Sequence, residues 1–98
     1  MLIVAGTFTT APGERERVLD LVSDVVTATR REQGCREYVF SPDVDDPDLI
    51  RLYELWDGQD ELDAHLKTPH IEAWRETSAD LITGRSVRIF TIADSREL

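Results

Sequence analysis

The sequence predicts an α+β domain with a ferredoxin-like βαββααβ order and one antiparallel sheet. Four short runs rich in β-branched and apolar residues, Leu2–Thr10, Arg36–Ser41, Leu49–Trp56 and Val87–Ala93, read as strands. The segments between the first and second and between the third and fourth carry apolar residues at helical spacings of three and four. Between the middle strands lies Pro42-Asp43-Val44-Asp45-Asp46-Pro47-Asp48, which suits a turn and makes those two strands a hairpin. Two strand–helix–strand units joined by a hairpin give the order above. At 98 residues the chain is read as one domain, residues 1–98.

Leu2–Thr10 is closed by the turn residues Ala11-Pro12-Gly13. From Glu14 to Glu32, Val18, Leu21, Val22, Val25 and Thr29 form one stripe, while Arg15, Glu16, Asp20, Asp24 and Arg31 form the other. An amphipathic helix is expected there, stopped by Gly34, which can adopt a left-handed backbone without a Cβ penalty. After the hairpin, Asp57 is placed to cap a short helix over Gly58 to Leu66. Thr68 and Pro69 then read as the N-cap and first residue of another helix, with Ile71, Trp74, Ser78, Leu81 and Ile82 on one stripe and Gly84 as its end. The last strand is Val87–Ala93, and Ser95–Leu98 is a frayed tail.

In this order the helices cover only one face of the sheet. The strands are nonetheless apolar at nearly every position: Leu2, Ile3, Val4 and Ala5; Val39 and Phe40; Val87, Ile89, Phe90 and Ile92. A sheet with one wet face alternates more cleanly, so a second copy of the chain is expected on the other face, giving a homodimer.

Eleven Lys and Arg stand against twenty Asp and Glu, for a net charge of −9 shared by both halves of the chain. Such a field repels phosphate backbones and anionic lipid surfaces, so no nucleic acid and no membrane partner is expected. Cys35 is the only cysteine, which rules out an intrachain disulfide and an all-cysteine metal site and fits a reducing compartment. With no basic leader and no run of about 20 apolar residues, a cytoplasmic location is expected. No phosphate-cradling glycine loop and no nucleophile elbow occurs, so no nucleotide cofactor is expected.

Side-chain alternation puts Glu54 on the face of Leu52 and Trp56, opposite Arg51, Tyr53 and Leu55. A carboxylate among apolar neighbours has its pKa raised, which suits a general base or proton shuttle. The alternative is a strand glutamate hydrogen-bonded to arginine or backbone. His65 lies on the inner flank of its short helix and can reach the same cavity as Glu54 and Trp56. His70 starts the next helix, where a role in the turn competes with one in the site. Five residues apart with Thr68-Pro69 between them, the two histidines do not share one helical face, so no metal site is expected. Tyr38, Phe40, Trp56 and Trp74 can floor an aromatic pocket or simply form core. Cys35 has no histidine placed to activate it and reads as a buried thiol.

Three separated strings, Gln33-Gly34-Cys35-Arg36-Glu37-Tyr38, Leu52-Tyr53-Glu54-Leu55-Trp56-Asp57 and Ala64-His65-Leu66-Lys67-Thr68-Pro69-His70, resemble the antibiotic biosynthesis monooxygenase (ABM) domain. That family carries a glycine-cysteine before strand two, a Tyr-Glu-x-Trp in strand three and a His-x-x-x-Pro-His at the helix break. The resemblance implies a dimeric α+β barrel with two sheets face to face. It also implies oxidation of quinols, anthrones or similar phenolic compounds by molecular oxygen, with no metal or flavin, in a cavity between sheet and helices. Carried over by position, Glu54, Trp56 and His65 match the family's pattern, with His70 a fourth. The chain contains no asparagine, which speaks against the heme-degrading and some polyketide-oxidising activities of relatives. The expected activity is therefore cofactor-independent monooxygenation of a small aromatic substrate, with His65 or Glu54 as base and Trp56 holding the ring. The alternative is a dimer that binds small molecules, or answers stress, without catalysing anything.

Overall fold

The computed structural model describes all 98 residues. Its elements are β1 (Leu2–Thr10), α1 (Arg15–Thr29), β2 (Cys35–Pro42), β3 (Leu49–Trp56), α2 (Gln59–Leu66), α3 (Pro69–Ser78) and β4 (Ile82–Thr91). The four strands form one antiparallel sheet in the order β2-β3-β1-β4, the ferredoxin-like arrangement. Directly opposed residues share a face, so the register aligns Tyr38, Glu54, Val4 and Ile89 across the sheet on the side where the helices pack.

The core lies between that face and the helices. Val18, Val22 and Val25 of α1, Leu62 of α2, and Ile71 and Trp74 of α3 are buried against Leu2, Val4, Phe8, Ile50, Leu52 and Trp56. Burying each such side chain contributes about 1.5–3 kcal/mol. On the other face the register groups Ile3, Ala5, Val39, Tyr53, Leu55 and Phe90, with Phe90 48% exposed and no helix above them. No helix is long and apolar enough to cross a membrane.

Several boundaries differ from the sequence reading. Helix α1 ends at Thr29, and Arg30–Gly34 form a turn held by bonds such as Glu32 N–H to Thr29 O. Gly34, with φ +81°, therefore completes this turn rather than the helix. Helix α3 stops at Ser78, six residues before Gly84, because β1 recruits the following segment as strand: Ala11 N–H donates to Leu81 O, and Ile82 pairs with Thr10 across a bulge. Leu81 and Ile82 thus leave the helical stripe, and Gly84 sits within β4 opposite Thr9.

Asp57 does not cap α2. Gly58 occupies that position, and the Asp57 carboxylate pairs with Arg36 on the neighbouring strand. Thr68 stands at the N-cap of α3, but its hydroxyl donates to His65 O at 2.8 Å and thereby ties the end of α2 to the start of α3. The hairpin turn is closed by its own aspartates: Asp43 accepts from the backbone N–H of Asp45 and Asp46, and Asp46 accepts from that of Asp48.

Candidate active site

Between the sheet and the α2–α3 pair lies a cavity of about 650 Å³, within the range of small-molecule sites. Val4, Phe8, Tyr38, Phe40 and Leu52 form its sheet wall, and Leu62, Leu66, Ile71 and Trp74 its helix wall. Glu54, His65, Arg75 and Arg85 are the titratable or charged groups against this mainly apolar lining, apart from the Tyr38 phenol. Burial holds that phenol far above its ordinary pKa, with Glu54 and Glu32 adding to the effect, so Tyr38 stays protonated.

Glu54 reaches the cavity because β3 alternation turns Ile50, Leu52, Glu54 and Trp56 to the same buried face. It is 5% exposed. Its Oε1 accepts the indole N–H of Trp56 at 2.7 Å, and its second oxygen has no hydrogen-bond partner in the protein. Burial pushes its pKa up to about 7; the nearby Glu32 charge adds to the rise and the Trp56 hydrogen bond opposes it. Such a carboxyl can hold or release a proton near neutral pH.

His65, on α2, is 2% exposed, with its ring centroid 4.7 Å from that of Trp56 and 5.3 Å from that of Tyr38. Its Nδ1 lies 2.9 Å from Glu32 Oε2, and the same oxygen lies 2.7 Å from His70 Nε2 on α3. An ionised carboxylate only accepts, so both ring nitrogens donate to it. The proton of neutral His65 is thereby placed on Nδ1, leaving the Nε2 lone pair without a protein partner. Burial lowers the His65 pKa, while the hydrogen bond and charge of Glu32 oppose that shift.

Glu32 can reach α2 because of Gly34. A Cβ on Gly34 would lie 2.4 Å from Glu61 Cγ, so only glycine lets the turn sit flush against this helix, and its positive φ adds a second requirement. Asp57 N–H to Gly34 O, 2.9 Å, fixes the turn to the end of β3.

The family model for antibiotic biosynthesis monooxygenase matches residues 1–77. The chain belongs to this family. Among its relatives is the protein called "Probable quinol monooxygenase YgiN" of Escherichia coli K12, 34% identical over 101 residues, covering 91% of this chain and 95% of that protein. The solved structure of Rv0793 from Mycobacterium tuberculosis superposes with a TM-score of 0.87 at 27% identity, over 98% of each chain. A Deinococcus radiodurans structure gives a TM-score of 0.91, covering 100% of this chain and 98% of that one; at 23% identity it speaks to the fold alone.

In this ABM-family chain, Glu54, His65, Tyr38, Phe40 and Trp74 lie together on the cavity wall. Trp56 does not. It is fully buried behind the wall, in contact with Glu54 and the His65 ring. His70 also lies off the cavity lining, beyond Glu32. His65 and His70 are nonetheless brought together across the helix break. The two rings need not share a helical face, because they sit on two helices whose junction turns them toward one carboxylate, with the three donor atoms all within 4.8 Å of one another. Cys35 is half-buried, its thiol pushed up to about 11 by burial and then by Glu32 and Glu54, so it is no nucleophile at neutral pH.

Sequence reasoning missed Glu32, Arg75 and Arg85. Glu32 is 33 and 38 residues from its partners, and only its place two residues before a turn glycine could have signalled it. Arg75 lies one position after Trp74 on α3, and Arg85 lies in the part of β4 that the sequence reading left between the helix end at Gly84 and the strand from Val87.

Proposed function

We propose that this protein oxidises a quinol- or anthrone-like aromatic with molecular oxygen, using no cofactor. The reading rests on one observation above all: His65, held by Glu32 through Nδ1 and without a protein partner at Nε2, lines an apolar cavity beside a carboxyl titrating near neutrality. His65 Nε2 takes a proton from the bound substrate, and the resulting electron-rich anion reduces oxygen directly. For an anthrone-like methylene, oxygen adds to the deprotonated carbon. The hydroperoxide then loses water as the O–O bond breaks and a carbonyl forms, so one oxygen atom enters the product and the other leaves as water. Protonated Glu54 is suited to supply a proton to the departing hydroxide. The apolar walls keep water from quenching the anion.

The names of the relatives support the same reading, since YgiN is called a probable quinol monooxygenase. We further propose that a second copy of the chain covers the apolar sheet face around Tyr53, Leu55 and Phe90, giving a homodimer. The functional test is oxygen uptake by metal-stripped protein with a panel of hydroquinones and anthrones. Turnover of at least one supports the proposal. Tight binding of such a compound without oxygen uptake would replace it with a ligand-binding role.

A further inference from the structure

We propose that Glu32, His65 and His70 form a binding site for one divalent cation of the zinc class. The three donors come from three places: the turn after α1, the last turn of α2 and the first turn of α3. Glu32 Oε2 lies 2.9 Å from His65 Nδ1 and 2.7 Å from His70 Nε2, and all three atoms fall within 4.8 Å of one another. In a tetrahedral zinc site with bonds of about 2.0–2.1 Å, neighbouring ligand atoms stand roughly 3.3 Å apart. The two oxygen–nitrogen pairs therefore open by a few tenths of an ångström and the two nitrogens draw together. His70 is free to make that adjustment, since its side chain is 26% exposed at the start of a helix.

Two imidazoles and one carboxylate favour zinc, cobalt, nickel or copper over calcium and magnesium, which prefer oxygen ligands. Glu32 and His70 both retain solvent contact, which leaves a way in, and the net charge of −9 attracts cations. The aspartates of the β2–β3 turn are no rival for this class, being oxygen-only donors already engaged by backbone N–H groups and Arg51.

The cation would take the positions of the two shared protons. Its bond to His65 Nδ1 moves the ring proton to Nε2, so that nitrogen becomes a donor and ceases to be a base. This consequence rests on the proposed function above; the site itself does not.

The test is titration of the full chain with Co²⁺, followed by its visible d–d bands, and with Zn²⁺ in competition with a chromophoric chelator. One cation per chain is expected, with affinity falling roughly tenfold or more in both His70→Ala and Glu32→Gln. His70→Ala is decisive if Glu32→Gln unfolds, because a partly exposed residue at the start of a helix contributes little to the core; circular dichroism checks both. Absence of stoichiometric binding, or affinity unchanged by His70→Ala, overturns the site. With a turned-over substrate in hand, Zn²⁺ at saturation should abolish oxygen uptake by the parent; full occupancy with undiminished turnover would overturn the tautomer switch alone.

Discussion

The indole N–H of Trp56 donates to Oε1 of Glu54 at 2.7 Å, which joins a fully buried ring to the one carboxylate in the cavity wall. The two residues are neighbours on one face of β3, two positions apart, so strand alternation alone sets up the contact. Trp56 thus holds the Glu54 carboxyl and packs against the ring of His65, while Tyr38, Phe40 and Trp74 line the cavity itself. Trp56→Phe should therefore raise the Glu54 pKa further, because the hydrogen bond that lowered it is gone. It should also cost about 1–3 kcal/mol of stability. An NMR titration of the Glu54 carboxyl carbon, with a denaturant melt, checks both.

Glu54 itself should make the fold less stable as pH rises. Its pKa is about 7 in the folded chain against an ordinary 4.5, so between those values the native state holds a proton that the unfolded state has released. Stability from this group is full below pH 4.5 and is lost as pH rises to about 7, a difference of about 3 kcal/mol. Glu54→Gln removes the dependence. Urea melts should therefore show the variant close to the parent at low pH and more stable than it at pH above 7. The depressed pKa of His65 acts in the opposite direction, but both chains carry it and the difference between them cancels it.

Gly34→Ala should do more than loosen a turn. Positive φ and the overlap with Glu61 together cost about 2 kcal/mol or more, and the strain is relieved by moving the turn that carries Glu32. The His65 Nδ1–H resonance, shifted downfield by its carboxylate partner in the parent, should then move upfield or broaden. A variant that keeps both its stability and this resonance would separate Gly34 from the site.

The apolar sheet face makes a claim about assembly. Light scattering should give about twice the 11.2 kDa chain mass, and Tyr53→Lys with Phe90→Lys should shift the protein toward monomer by placing charge in the middle of that face. A parent chain that is a stable monomer in dilute solution would leave the exposed Phe90 without a reason.

Much of this was legible in the sequence. β1 and β3 were bounded correctly because alternation and turn residues agree there, and Glu54 was turned inward by counting from Trp56. Boundaries failed where a long-range partner outweighed local signals. Leu81 and Ile82 continue the helical spacing of α3, yet Ile82 pairs with Thr10 of β1 as strand and Leu81 O accepts from the adjoining Ala11 N–H. Trp56 was aimed at the right face, but alternation tells which face a residue takes and not whether another side chain stands in front of it, so its place behind the cavity wall was not legible. Glu32 was read only as the last residue of the first helix: an acid there acquires meaning only when the fold brings two other helices over it.

The central claim is that His65, held by Glu32, is the base of an oxygen-dependent oxidation in the cavity. It is tested most directly by kcat/KM for oxygen uptake as a function of pH in the parent and in His65→Gln, on the best quinol or anthrone found. The parent should gain activity as pH rises through a His65 pKa lying below the ordinary 6.5. His65→Gln should lose that limb and fall by roughly 10²–10⁴ in rate while remaining folded. An active parent whose His65→Gln variant matches it in rate and pH profile would contradict the account.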